Sequence, residues 1–164
     1  MSTKITTRIA ALAAAGGLAF LLPGPARAAS GPQPASGTFR ETSQTVESLQ
    51  VADGNTILVV TVSGITTGTF DGPFTETDQV VIHPDGTVTL AGMGVQSGTL
   101  GTCGTGSAPY VTEAQGNLSA RTGRLQTNDQ AASTAAPLMA HTVDSFTVNA
   151  ATGEGTYAGT YHCT

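Results

Sequence analysis

Tryptophan is absent from this chain, and five phenylalanines and three tyrosines are its only aromatic residues. Its core must therefore be made largely of Val, Ile, Leu and Ala. Lysine is absent after Lys4, and the only basic side chains beyond residue 28 are Arg40, Arg121 and Arg124. All eleven acids lie beyond residue 28, so the formal charge is −8 there against −5 for the full chain. Three arginines cannot build a basic patch, which excludes nucleic acid and anionic membrane surfaces as expected partners. After residue 22 no apolar run is long enough to serve as a helical membrane span.

Several chemical signatures are also missing. No Gly-x-Ser-x-Gly elbow occurs, so the common hydrolase nucleophile is not there. Gly92-Met93-Gly94 lacks the third glycine and following helix of a dinucleotide site. The glycine-rich residues 101–106 have no Gly-Lys-Ser/Thr ending, so they are no phosphate loop. Asp53-Gly54-Asn55 is too short a fragment for calcium. His83, His141 and His162 show no repeated ligand spacing, and no metal or cofactor is expected. Asn117-Leu118-Ser119 is a glycosylation sequon, informative only in a source that glycosylates.

Cys103 and Cys163 are the only cysteines. The simplest reading is one disulfide formed in an oxidising compartment. Redox-active thiols would favour a Cys-x-x-Cys spacing, and zinc would need more partners than the neighbouring His162. The start of the chain agrees on compartment. Lys4 and Arg8 precede an apolar run from Ile9 to Leu22, then Pro23-Gly24-Pro25 and Ala26-Arg27-Ala28. This pattern predicts a signal peptide over residues 1–28, cleaved between Ala28 and Ala29, and a secreted protein. A membrane anchor is the competing reading, but the run is short for a span.

The remaining 136 residues suit one domain. Residues 29–36, with Pro32 and Pro34, read as a flexible lead-in to a domain over residues 37–164. The clearest element is a hairpin: Gln79-Val80-Val81-Ile82-His83, the turn Pro84-Asp85-Gly86, then Thr87-Val88-Thr89-Leu90. A first strand is expected over residues 37–45, continued past a bulge by 46–51. Asp53-Gly54-Asn55 marks a turn, followed by a strand over 56–62. Ile57, Val59 and Thr61 fall on one face of it and Leu58, Val60 and Val62 on the other, so both faces are expected to be covered. Asp71-Gly72-Pro73 reads as a turn. Short strands follow over 87–93, 95–100, 108–112, 117–120, 123–126, 141–148 and 155–163. Residues 128–137 read as a surface loop.

A triplet recurs irregularly: Gly37-Thr38-Phe39, Gly68-Thr69-Phe70, Gly98-Thr99-Leu100, Gly155-Thr156-Tyr157 and Gly159-Thr160-Tyr161. Glycine lets a coiled strand bend, and the next two side chains point one out and one in. A plain abundance of glycine and threonine is the alternative. Roughly eight strands with short turns suit an all-β fold, a small antiparallel eight-stranded barrel. A two-sheet β-sandwich is the alternative, and periodicity does not separate them.

The run Gly68-Thr69-Phe70-Asp71-Gly72, Val80-Val81-Ile82-His83, Pro84-Asp85-Gly86 and Ser97-Gly98-Thr99-Leu100 resembles bacterial allene-oxide-cyclase-barrel-like proteins, including the set known as domain of unknown function 3224. The closing Gly153-Glu154-Gly155-Thr156-Tyr157-Ala158-Gly159 is similar to that group's final strand. The resemblance covers most of the chain beyond residue 28. It implies an eight-stranded barrel, often a homo-oligomer, and no settled activity. No catalytic residue of the cyclases matches a position here.

Three functions follow as expectations. The first is a secreted barrel that binds a small apolar molecule, with Phe39, Phe70, Tyr110, Phe146 and Tyr157 as candidate lining or plain core. The second is a cofactor-independent cyclase or isomerase. The third is a structural or self-associating envelope protein. Glu76 and Asp78 lie two apart on one strand and share a face. Facing inward, one of them is a candidate general acid. The acidic balance of the chain and the threonine neighbours favour the outward reading, as solvated surface charges.

Overall fold

The computed structural model describes residues 31–127 and 138–164. The expected signal peptide, its cleavage between Ala28 and Ala29, and the expected loop over residues 128–137 lie outside the described residues.

Eight antiparallel strands close into a barrel in sequence order, and the described residues contain no helix. They are β1 (Gln33–Ala52), β2 (Asn55–Gly68), β3 (Phe70–Ile82), β4 (Thr87–Leu100), β5 (Gly104–Asn117), β6 (Ala120–Thr127), β7 (Ala140–Asn149) and β8 (Glu154–Cys163). The seam that excludes a sandwich is the pairing of β1 with β8, from Gln33 opposite Tyr161 to Arg40 opposite Glu154. Gln33 to Ser36, expected in a flexible lead-in, belong to this seam. Pro34 fits because a proline within a strand forfeits only its own donor.

The turns follow their residues. Asp53 and Gly54 both have positive φ, 50° and 78°, as a two-residue hairpin of this twist requires. In the β3–β4 turn, Asp85 Oδ1 accepts from the Thr87 N–H at 2.9 Å and its hydroxyl at 2.7 Å. Asp71-Gly72-Pro73 is not a turn, however. It runs within β3, with Pro73 opposite Ile65 and Gly72 opposite Thr66. The β3–β4 ladder skips residues 72 and 73, so the missing proline N–H breaks no pairing there. The chain reverses at Thr69 instead. Residues 87–100 form one strand across Gly94, and 104–117 form another.

Aromatic side chains and glycines interlock across the strands. Phe39 lies opposite Gly155, and Tyr157 lies opposite Gly37. Phe74 faces Gly64, Tyr110 faces Gly94, and Phe146 faces Gly123. A Cβ at any of these glycines would run into the facing ring. The Gly-Thr-aromatic triplets at residues 37 and 155 are thus two halves of one device. Each supplies a ring for its partner's gap and turns its threonine outward.

The barrel is uneven. β1 to β5 span 13 to 20 residues each, β6 to β8 only 8 to 10. One end is closed by Ala35, Phe70, Leu100, Ala108, Leu138, Ala140, Tyr157 and Tyr161. The Phe70 N–H donates to the Tyr157 hydroxyl at 2.8 Å, tying β3 to β8 there. Cys103 and Cys163 are bonded across the same end, with Cα atoms 5.2 Å apart. Cys103 lies in the β4–β5 turn and Cys163 at the end of β8, so the bridge joins strands that are not neighbours. At the other end the taller strands overhang. Beyond Arg40, β1 pairs with β2 alone. Ile57 and Val59 face outward and are half-buried, not fully covered as their apolar character suggested.

Candidate functional site

The barrel interior encloses a cavity of about 220 Å³. Alternation sets its walls. Val60, Val62, Phe74, Val80 and Tyr110 point inward from β2, β3 and β5, with Leu58, Ile82, Leu90 and Leu125 packed beside them. Phe39 meets Phe74 and Phe146 edge-on, with ring centroids 6.4 Å and 6.0 Å apart. The five aromatic residues proposed from the sequence, Phe39, Phe70, Tyr110, Phe146 and Tyr157, all border the cavity. Val46 and Leu118 stand at its open end and are 57 % exposed. The β1–β2 register puts Leu49 and Val51 on the same inner face, opposite Leu58 and Thr56.

Glu76 and Asp78 point into this cavity, so the outward reading is wrong for both. Space for them comes from the next strand. Gly94 stands opposite Glu76 and Gly92 opposite Asp78. A Cβ on Gly92 would collide with the Asp78 carboxylate, and one on Gly94 would lie 2.7 Å from Glu76 Cβ and Tyr110 Cζ. Gly92-Met93-Gly94 is therefore an acid-seating pair, with Met93 turned out to solvent at 69 % exposure. Gly92→Ala is expected to destabilise the fold by about 2 kcal/mol through overpacking. In an Asp78→Ala background the same substitution should cost little. Chemical denaturation of the four proteins measures this coupling, and equal costs in both backgrounds would refute the contact.

The electrostatics follow from burial. Tyr110 donates its hydroxyl to Glu76 Oε2 at 2.9 Å. Desolvation, then the neighbouring Asp78, raises the Glu76 pKa to about 8 despite that bond. Desolvation and Glu41 raise Asp78 to about 6, while Arg121 pulls it down. At neutral pH Glu76 thus holds a proton and Asp78 is charged. Burial, followed by the charge on Glu76, raises the Tyr110 phenol, which stays neutral.

Three further charged residues of the cavity escaped the sequence reading: Glu41, Arg121 and Asp144. The signal for Asp144 was its phase, because it alternates with Phe146 and Val148 on β7. Asp144 is 2 % exposed, and burial raises its pKa to about 6 while the Thr142 hydroxyl lowers it by less. Arg121 is the only basic side chain among the cavity residues. Elsewhere, His83 sits on the β3–β4 turn with Nδ1 2.9 Å from Asn55 Oδ1. His141 and His162 are stacked, with centroids 4.9 Å apart. Among the described residues no three His, Cys, Asp or Glu side chains are arranged so that they could hold a metal ion.

No family model matches this chain, and no curated protein matches it.

Proposed function

We propose that this protein is a secreted binder of one small, mostly apolar molecule, held inside the barrel. The observation that carries this reading is the cavity itself. It combines apolar walls, a closed floor and a few inward polar groups, which is the usual make-up of a small-molecule site. A dry cavity of about 150 Å³ holds benzene, so about 220 Å³ admits a compact organic ligand. The disulfide suits the oxidising compartment that the signal-like leader implies.

The test is direct. An apolar fluorescent probe of single-ring size should bind once per chain and raise the melting temperature by mass action. Leu58→Trp, which fills the cavity from β2, should abolish binding while the barrel still folds. Absence of any saturable binding to the unmodified protein would overturn the reading.

A second reading has its own observation. Glu76 keeps a proton near neutral pH and is oriented by Tyr110, the arrangement of a general acid beside an apolar pocket. A cofactor-independent cyclase or isomerase, as the barrel-family resemblance suggests, would use Glu76 as proton donor and Tyr110 as its positioner. Glu76→Gln should then abolish turnover while leaving probe binding intact.

A further inference from the structure

The cavity lining is lopsided in charge. Glu41, Glu76, Asp78 and Asp144 enter it from β1, β3 and β7, and Arg121 from β6 is the only countercharge among the described residues. Nearby tyrosines, Tyr110 on β5 and Tyr157 on β8, stay neutral. Asp78 is 3 % exposed, yet its Oδ1 meets no donor. Asp144 is as deeply buried, with only the Thr142 hydroxyl favouring its charged form. An unmade hydrogen bond to a buried carboxylate costs more than a neutral one. The fold nevertheless seats these groups, giving up side chains at Gly92 and Gly94 to do so. Arg121 favours the charged form of Asp78, but it is one cation facing four carboxyls, and its Nε is itself buried without a partner.

We propose that the barrel takes its ligand as an organic cation, an amine whose apolar body fills the cavity and whose ammonium group is held by Asp78. This rests on the binding reading above and narrows it. An ammonium brings the donors that Asp78 lacks, and its positive charge offsets the excess of carboxylates. Phe39, Phe74 and Phe146 border the same cavity and give the apolar body of the amine its contacts. A carboxylate ligand would meet repulsion from several sides.

Three ligands that share one ring and differ only in the head group separate the possibilities: cyclohexylamine, cyclohexanol and cyclohexanecarboxylate. Their binding to the full protein at pH 7 is measured by calorimetry. The amine should bind about tenfold or more tighter than the alcohol, because it brings a charge to Asp78 where the hydroxyl brings only a neutral donor, with the acid weakest. Asp78→Asn should remove that preference and raise the melting temperature, because it deletes an unsatisfied buried charge. A residue needed only for structure would lower the melting temperature instead. Should Asp78→Asn fail to fold, the ligand series on the unmodified protein still decides. If alcohol and amine bind equally, the cation inference falls and the cavity reading stands. If the apolar probe binds and the amine does not, the inference falls too. If none of them binds, both fall.

Discussion

Acidification from pH 8 to pH 5 should stabilise this protein, raising its melting temperature by about 10 °C or more. Three buried carboxyls set the direction. Glu76 is raised to about 8, and Asp78 and Asp144 to about 6. An acid raised on folding takes up a proton as the chain folds. Its contribution is complete below the unfolded pKa, near 4, and is lost as pH rises through the folded value. The window therefore runs from about pH 4 to pH 8, with the aspartates lost first and Glu76 last. One pKa unit is worth about 1.4 kcal/mol, so several kcal/mol are at stake. Glu41, Tyr110 and Arg121 face the Glu76–Asp78 pair; Arg121, by favouring charged Asp78, and the Tyr110 hydrogen bond, by favouring charged Glu76, act against the trend. Asp85, held low by Thr87 at the surface, loses its bonds only at more acid pH. Thermal unfolding across this range measures the effect, and Glu76→Gln should flatten its upper part. A melting temperature that is constant, or higher at pH 8, would sink the argument.

Reducing the Cys103–Cys163 bond should be the other large perturbation. The two residues are 60 apart in sequence, and closing a loop of that length is worth about 4 kcal/mol in the chain-entropy model. For a domain of this size that corresponds to a fall of about 10 to 20 °C. The bond also pins the β4–β5 turn over the closed end, where the Thr102 N–H donates to the Tyr161 hydroxyl at 3.4 Å. Unfolding with and without reductant, beside a Cys103→Ala, Cys163→Ala double variant, gives the number. An unchanged midpoint in both would show that the barrel end holds itself without the bridge.

The hairpins were legible because their signals are local. Pro84-Asp85-Gly86 between β-branched runs, and Asp53-Gly54 before a long apolar strand, fix both turns and register. Strand number and short turns pointed to the barrel, but the pairing that closes it was not legible, since it joins residues more than a hundred apart in sequence, such as Phe39 and Gly155. Asp71-Gly72-Pro73 misled because these residue types favour turns, and only the gap in the neighbouring ladder lets them continue a strand. The acid pair was placed outside on the sound ground that acids are seldom buried. A better signal was present. A turn at residues 83–87 puts 78 opposite 92 and 76 opposite 94, so the sequence itself sets two glycines against two acids. Reading composition position by position, without carrying register across the turn, hides that match.

The seam between β1 and β8 has a kinetic consequence. Every other strand pairing joins neighbours in sequence, and all but β6–β7, which residues 128–139 separate, can zip from a short connection. The β1–β8 pairing joins the two ends of the sheet, from Gln33 to Arg40 on one side and Glu154 to Tyr161 on the other. Bringing such distant segments together costs loop entropy that only a largely assembled sheet reduces. An order of assembly follows: a meander forms first and then rolls up, with Phe39 and Tyr157 latching into glycine gaps as it closes. Until that latch engages, the inward carboxylates remain in water and ionised at neutral pH, so burying them belongs to the final step of folding.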